Sequence, residues 1–157
     1  MTFQSGFNPF QTQDILINKA YHEQIKEFSL KGSGEGEHEG VSGQPFRRMV
    51  DAWLLAVALG SITGFPVPDI TGIATVKIIT GAVFQKDLEA ICFLMSIAVS
   101  ATDDPYIVDN PSKMIRIASG FAELGFPQLI ELARAGQLGN TENLARGLVK
   151  SLTHIQN

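Results

Sequence analysis

Few residues of this 157-residue chain have the types and spacing that chemistry demands, and the densest group is Glu35, Glu37, His38 and Glu39. Three carboxylates and one imidazole suit a divalent cation, so this group is the candidate site of a metal-dependent enzyme. It lies within Lys31–Gln44, KGSGEGEHEGVSGQ, which reads by composition as a glycine-rich solvated loop. Metal ligands must be held by surrounding groups, and glycines supply none. The pair Asp103-Asp104 stands before Pro105 and reads more simply as a helix-stop turn than as a carboxylate site. The histidines, His22, His38 and His154, form no recognised catalytic pattern with serine, cysteine or carboxylate, and no nucleophile elbow, zincin, phosphate-loop or dinucleotide fingerprint occurs. The expectation is a chain without catalytic residues and without a cofactor.

A second group, Arg47, Arg48 and Asp51, could act on a partner. Guanidinium forks fit carboxylate and phosphate oxygens, and Arg47 and Asp51 have the i, i+4 spacing of an ion pair on a helix. They open the helical pattern Pro45–Gly60, PFRRMVDAWLLAVALG, in which Pro45 suits the first turn and Gly60 a C-cap. Phe46, Met49, Val50, Trp53, Leu54 and Val57 share one face of it. A third group is Phe3, Phe7 and Phe10, three aromatics in the polar arm of residues 1–13. Such an arm either packs back onto its domain or docks on another chain, because only burial offsets the entropy of ordering it.

The glycine-rich loop followed by Pro45, Phe46, two arginines and VDAWLLAVALG resembles small helical accessory proteins of bacterial DNA-modification and phage-defence systems. The resemblance covers residues 14–60 and rests on Pro45, Phe46, Val50, Asp51 and Trp53. It implies a small subunit acting beside larger enzymes, and it carries over no functional residue.

The elements that position these groups read as mainly helical. Asp14–Asn18, DILIN, is a short apolar run, and Lys19–Leu30 is an amphipathic helix. Ile70–Phe84 is rich in β-branched residues, so a strand at 74–80 is expected, either paired with DILIN or irregular, with a helix as the competing reading. A strand before two helices has the order of ribbon-helix-helix DNA binders, but Ile15, Leu16 and Ile17 offer no polar groups to bases. Asp87–Ala101 is apolar on almost every side, which places it at the centre of its domain with Cys92 as a small buried hydrophobe. Asn110-Pro111 opens a helix to Gly125, whose Gly120 permits a close helix–helix approach. Phe126–Ala135 follows as a separate helix, and Leu144, Leu148, Val149 and Leu152 mark one apolar stripe of a last one.

These elements add up to an all-α class: a compact bundle of five to six helices with at most one two-stranded piece, in a single domain over 14–157 behind the arm of residues 1–13. With 45% hydrophobic and 18% charged residues the chain is globular in character and can fill a core. Net charge is −4, and both halves carry 6 basic against 8 acidic residues, which disfavours general nucleic-acid binding. DNA binding through Arg47 and Arg48 stays as the alternative. One cysteine excludes a disulfide framework, the first residues lack the features of a secretory leader, and the longest apolar run is too short for a span and contains Glu89. The expectation is a cytoplasmic, non-catalytic subunit that binds another protein or itself.

Overall fold

A computed structural model describes residues 6–29 and 45–135. Within them the order is β1 (Asp14–Asn18), α1 (Lys19–Glu27), α2 (Met49–Ser61), β2 (Thr75–Thr80), α3 (Leu88–Thr102) and α4 (Pro111–Ala135), with 3₁₀ turns at Gly81–Phe84 and Pro105–Asp109. The helical class holds, and the β-branched stretch is a strand. β1 and β2 pair antiparallel as a two-stranded sheet, from Asp14 opposite Thr80 to Asn18 opposite Thr75. A register shift at Ile15/Leu16 inserts Ile78 into β2 as an extra residue. β1 alternates as a half-buried strand does: Ile15 and Ile17 are buried and Leu16 faces out.

Four α-helices occur among the described residues, and their bounds differ from the sequence reading. α2 begins at Met49, so Pro45–Arg47 lead into it and Pro45 is not its first-turn residue. α1 ends at Glu27. The two helices expected over 111–135 are one, α4, which runs through Pro127. Proline inside a helix costs about 3 kcal/mol. Phe126, Leu129, Ile130 and Ala133, all buried on either side of it, offset that cost. The last apolar stripe, with Leu144, Leu148, Val149 and Leu152, lies outside the described residues.

α2 and α4 make the centre. Gly60 is no C-cap. It sits inside α2, where an added Cβ would strike the Phe121 carbonyl, and at Gly125 one would strike the Ala56 carbonyl. The two backbones therefore cross in contact, running in opposite directions, with Trp53, Ala56 and Val57 fully buried beside the crossing. Trp53 carries the one buried side-chain polar atom without a hydrogen bond among the described residues, its indole Nε1. Gly120 accommodates the connection after α2, at Val67 and Pro68, and not another helix.

α3 is not central. It buries only Ala90, Ile91, Leu94 and Ala98, while Leu88 and Cys92 are exposed. Composition says that a helix can be buried all round, but α2 and α4 already fill the centre, and α3 lies against it along one stripe. Cys92 is on the outer side, so the expectation of a buried thiol fails with that of a central helix. α3 ends where the sequence indicated: Asp103 is left-handed at φ 51°, and Pro105 follows. Asn110 caps α4, its side chain accepting the Lys113 N–H at 3.0 Å.

Candidate interaction surface

Arg47, Arg48 and Asp51 meet at the start of α2, but the pairing differs from the i, i+4 expectation. Asp51 holds Arg48 instead of Arg47. Its Oδ2 accepts the Arg48 backbone N–H at 3.0 Å and the Nε–H at 3.1 Å, and its Oδ1 accepts Nη2 at 2.6 Å. Because the helix starts at Met49, Asp51 is the third helical residue, where a carboxylate can reach back to the capping backbone N–H. Hydrogen bonding to Asp51 raises the Arg48 pKa, with the charges of Asp51 and Asp87 adding and partial burial opposing. Arg48 is thus committed to an internal clasp, and Arg47 is exposed without an ion pair among the described residues.

The ends of the stretch leading to this point are pinned. Phe46 donates its N–H to the Phe28 carbonyl at 3.1 Å, and Ser29 and Phe46 form a parallel bridge. Glu35, Glu37, His38 and Glu39, the candidate metal ligands, lie outside the described residues. Among those described, no group of three or more histidine, cysteine, aspartate or glutamate residues could hold a metal ion. His22 contacts its neighbour Glu23, Nδ1 to Oε1, at 3.1 Å.

Phe3 is outside the described residues, and Phe7 is about half exposed at 48%. Phe10 is fully buried, edge-on to Phe84 with ring centroids 6.5 Å apart. Its own carbonyl occupies the space that a Cβ of Gly81 would take. Asn8 completes the attachment, donating to the Gly81 carbonyl at 2.8 Å and accepting the Phe10 N–H at 3.0 Å. The end of the arm therefore packs back onto the domain.

The structure adds a place that the sequence reading did not single out. β1 and the first half of α4 enclose an open cleft of about 370 Å³. Leu16, Ile70 and Ile115 supply its apolar lining, and Gln13, Asp14, Ser112 and Arg116 are among its polar residues. Asp14 is paired with Lys77 at 2.7 Å across the sheet. Asp69, next to Ile70, has its pKa lowered mainly by hydrogen bonds from Thr71, with the charge of Arg116 a smaller contribution. The available signal was the strand period. If Ile15 and Ile17 point inward, Leu16 must point outward.

Two further large apolar side chains stand out in the connections, Phe65 at 67% and Tyr106 at 78% exposure. Among the described residues no helix is long and apolar enough to cross a membrane. Comparison with protein families, curated proteins and solved structures finds no match for this chain.

Proposed function

We propose that this chain is a non-catalytic interaction subunit that binds another protein through the cleft between β1 and α4, as an accessory part of a larger bacterial complex. One observation carries this reading: Leu16 is exposed on a strand whose neighbours Ile15 and Ile17 are buried, at a concave place where Ile70 and Ile115 stand beside polar residues including Asp14 and Arg116. An apolar anchor point bordered by polar groups is how protein interfaces concentrate their binding energy. The resemblance to accessory proteins of DNA-modification and defence systems fits a role beside larger enzymes. Low charge and a net charge of −4 agree with a protein partner more than with DNA.

The test is affinity capture from the native host with the full chain, repeated with Leu16→Asp. Leu16 faces solvent, so this variant should keep its circular dichroism and melting temperature. The reading requires a specific partner whose affinity falls by roughly 30-fold or more in the variant, the loss expected at an interface anchor. A chain that is monomeric by light scattering and captures nothing, or a partner bound equally by Leu16→Asp, would overturn it.

A further inference from the structure

One wall of the cleft between β1 and α4 is a row of hydrogen-bond donors. Ser112, Arg116 and Ser119 follow one another on α4 at spacings of four and three residues, so they share one face of the helix, and all three line the cleft. Arg116 is the one cation in the lining, is exposed, and makes no ion pair or hydrogen bond among the described residues. Asp69 feels its charge only as a minor contribution, because that carboxylate is turned to Thr71, whose backbone N–H it accepts at 2.9 Å. Asp14, the one carboxylate in the lining, is paired with Lys77 at 2.7 Å.

Ser119 adds an independent observation. It is only 7% exposed, and its hydroxyl has no hydrogen-bond partner among the described residues. Ser96 and Thr102 on α3 return theirs to the carbonyl one turn before, at 2.7 and 2.8 Å, and Ser119 does not. Trp53 Nε1 is sealed in the core, whereas Ser119 lines the cleft. A hydroxyl this buried costs free energy until something accepts its proton.

We infer, on the basis of the docking role proposed above, that this row takes a carboxylate: the partner's docking segment carries an acidic side chain beside an apolar one. The apolar side chain packs on Leu16, Ile70 and Ile115. The carboxylate accepts from the Arg116 guanidinium and from the hydroxyls of Ser112 and Ser119, which together use its lone pairs. Ser112 is also the second residue of α4, where the positive end of the helix dipole favours an anion. A single cation matches a single carboxylate. A phosphate, with nearly two negative charges, would call for a second cation and would face Asp14. The segment is extended, since a cleft of about 370 Å³ holds a few side chains and not a folded element.

The test pans the full chain against random peptides displayed on phage. Peptides weakened by Leu16→Ala, which removes the anchor without adding charge, are the cleft ligands. They should carry Asp or Glu adjacent or next but one to a large apolar residue. Arg116→Ala should weaken them at least about tenfold, and panning on Arg116→Glu should instead select Lys or Arg at that place. Ser119→Ala separates binding from folding. It should weaken the peptides about threefold or more, while the melting temperature holds or rises, because alanine favours the helix and no bond within the chain is lost. Cleft ligands without a carboxylate, or unchanged by Arg116→Ala, would overturn the inference and leave the docking role standing. So would a Ser119→Ala chain that melts lower and binds as before, since its hydroxyl would then serve the fold. No peptide dependent on Leu16 would overturn both.

Discussion

α2 and α3 are almost equally apolar in sequence, yet the molecule uses them in opposite ways. α2 presses its backbone against α4 at Gly60 and Gly125, with no room for a methyl group on either side. α3 packs on α4 along one stripe, Ala90, Ile91, Leu94 and Ala98, and leaves Leu88 and Cys92 exposed. Small residues made the difference. A glycine on each side of the crossing lets two backbones meet, and the large residues beside it, Trp53 and Phe126, then fill the flanks. α3 has no glycine and stands off. Apolar composition therefore measures how much burial a helix needs, and the smallest residues show where the tightest contact will be.

The strongest way to break the comparison is Gly60→Ala or Gly125→Ala. Helix propensity alone predicts a gain of about 1 kcal/mol for alanine over glycine. Packing predicts the reverse, because the new Cβ meets backbone carbonyls that cannot rotate away. Each variant should lose more than about 3 kcal/mol and melt roughly 10 °C lower. Thermal or urea unfolding decides it, and a rise in stability would mean that the helices do not cross there. Of similar size is Phe10→Ala, expected to cost about 3–4 kcal/mol by emptying the site against Phe84, while Phe7→Ala should cost under about 1 kcal/mol. Equal losses would show that the arm packs through both rings.

At the N-terminal end of α2 the effect is smaller. Asp51→Ala removes the acceptor for the Arg48 backbone N–H and its guanidinium, and should cost about 1 kcal/mol by unfolding. It also separates the clasp from a phosphate-binding role. A low-salt gel shift with the wild type is expected to show no DNA binding, since Arg48 is already engaged and the net charge is −4.

What could be read in the sequence follows from how local each feature is. The α4 start at Asn110-Pro111 and the α3 stop at Asp103 are written in a few adjacent residues and were legible, whereas the β-branched residues at 75–80 indicated a strand but left a helix as a competing reading. The helix crossing was not legible, because Gly60 resembles a cap until Gly125 is brought opposite it. Pro127 looked like a helix start for the same reason: the burial that carries α4 through it comes from other elements. Cys92 was misplaced because apolar neighbours in sequence do not decide which side of a helix faces the core. Of the candidate site, Arg48 and Asp51 were named but mispaired by one residue, since the pairing depends on where α2 begins. The cleft at Leu16 needed α4 to be laid beside β1, which no local pattern states.

The well-packed side also contains a titratable group. Tyr21 lies against Phe126, ring centroids 5.3 Å apart, and burial pushes its pKa above the ordinary value of about 10, with the negative charge of Glu123 adding to it. A raised pKa means that the folded state holds the proton more tightly than the unfolded one. The resulting stability is complete below pH 10 and is lost as pH rises through the folded value. Unfolding measured up an alkaline series should therefore show a steeper fall in the wild type than in Tyr21→Phe. Identical slopes would mean that the phenol is as solvated as in the unfolded chain.

The smallest expected effect sharpens the comparison most, because it makes the same residue at the other helix. Ser96 lies on the exposed side of α3, and its hydroxyl donates back to the Cys92 carbonyl at 2.7 Å. Such a bond competes with the helix's own hydrogen bonding and offers little in exchange at an exposed position. Ser96→Ala should stabilise the chain by about 0.5 kcal/mol or less, the difference in helix propensity. Alanine at 60 would then destabilise severely and alanine at 96 would stabilise slightly. The contrast lies in the surroundings: a backbone carbonyl stands where the Gly60 methyl would go, whereas Ser96→Ala only removes an exposed hydroxyl. If Ser96→Ala instead costs more than about 1 kcal/mol, that side of α3 is covered in the folded chain, and the distinction between a tightly crossed and a loosely laid helix fails.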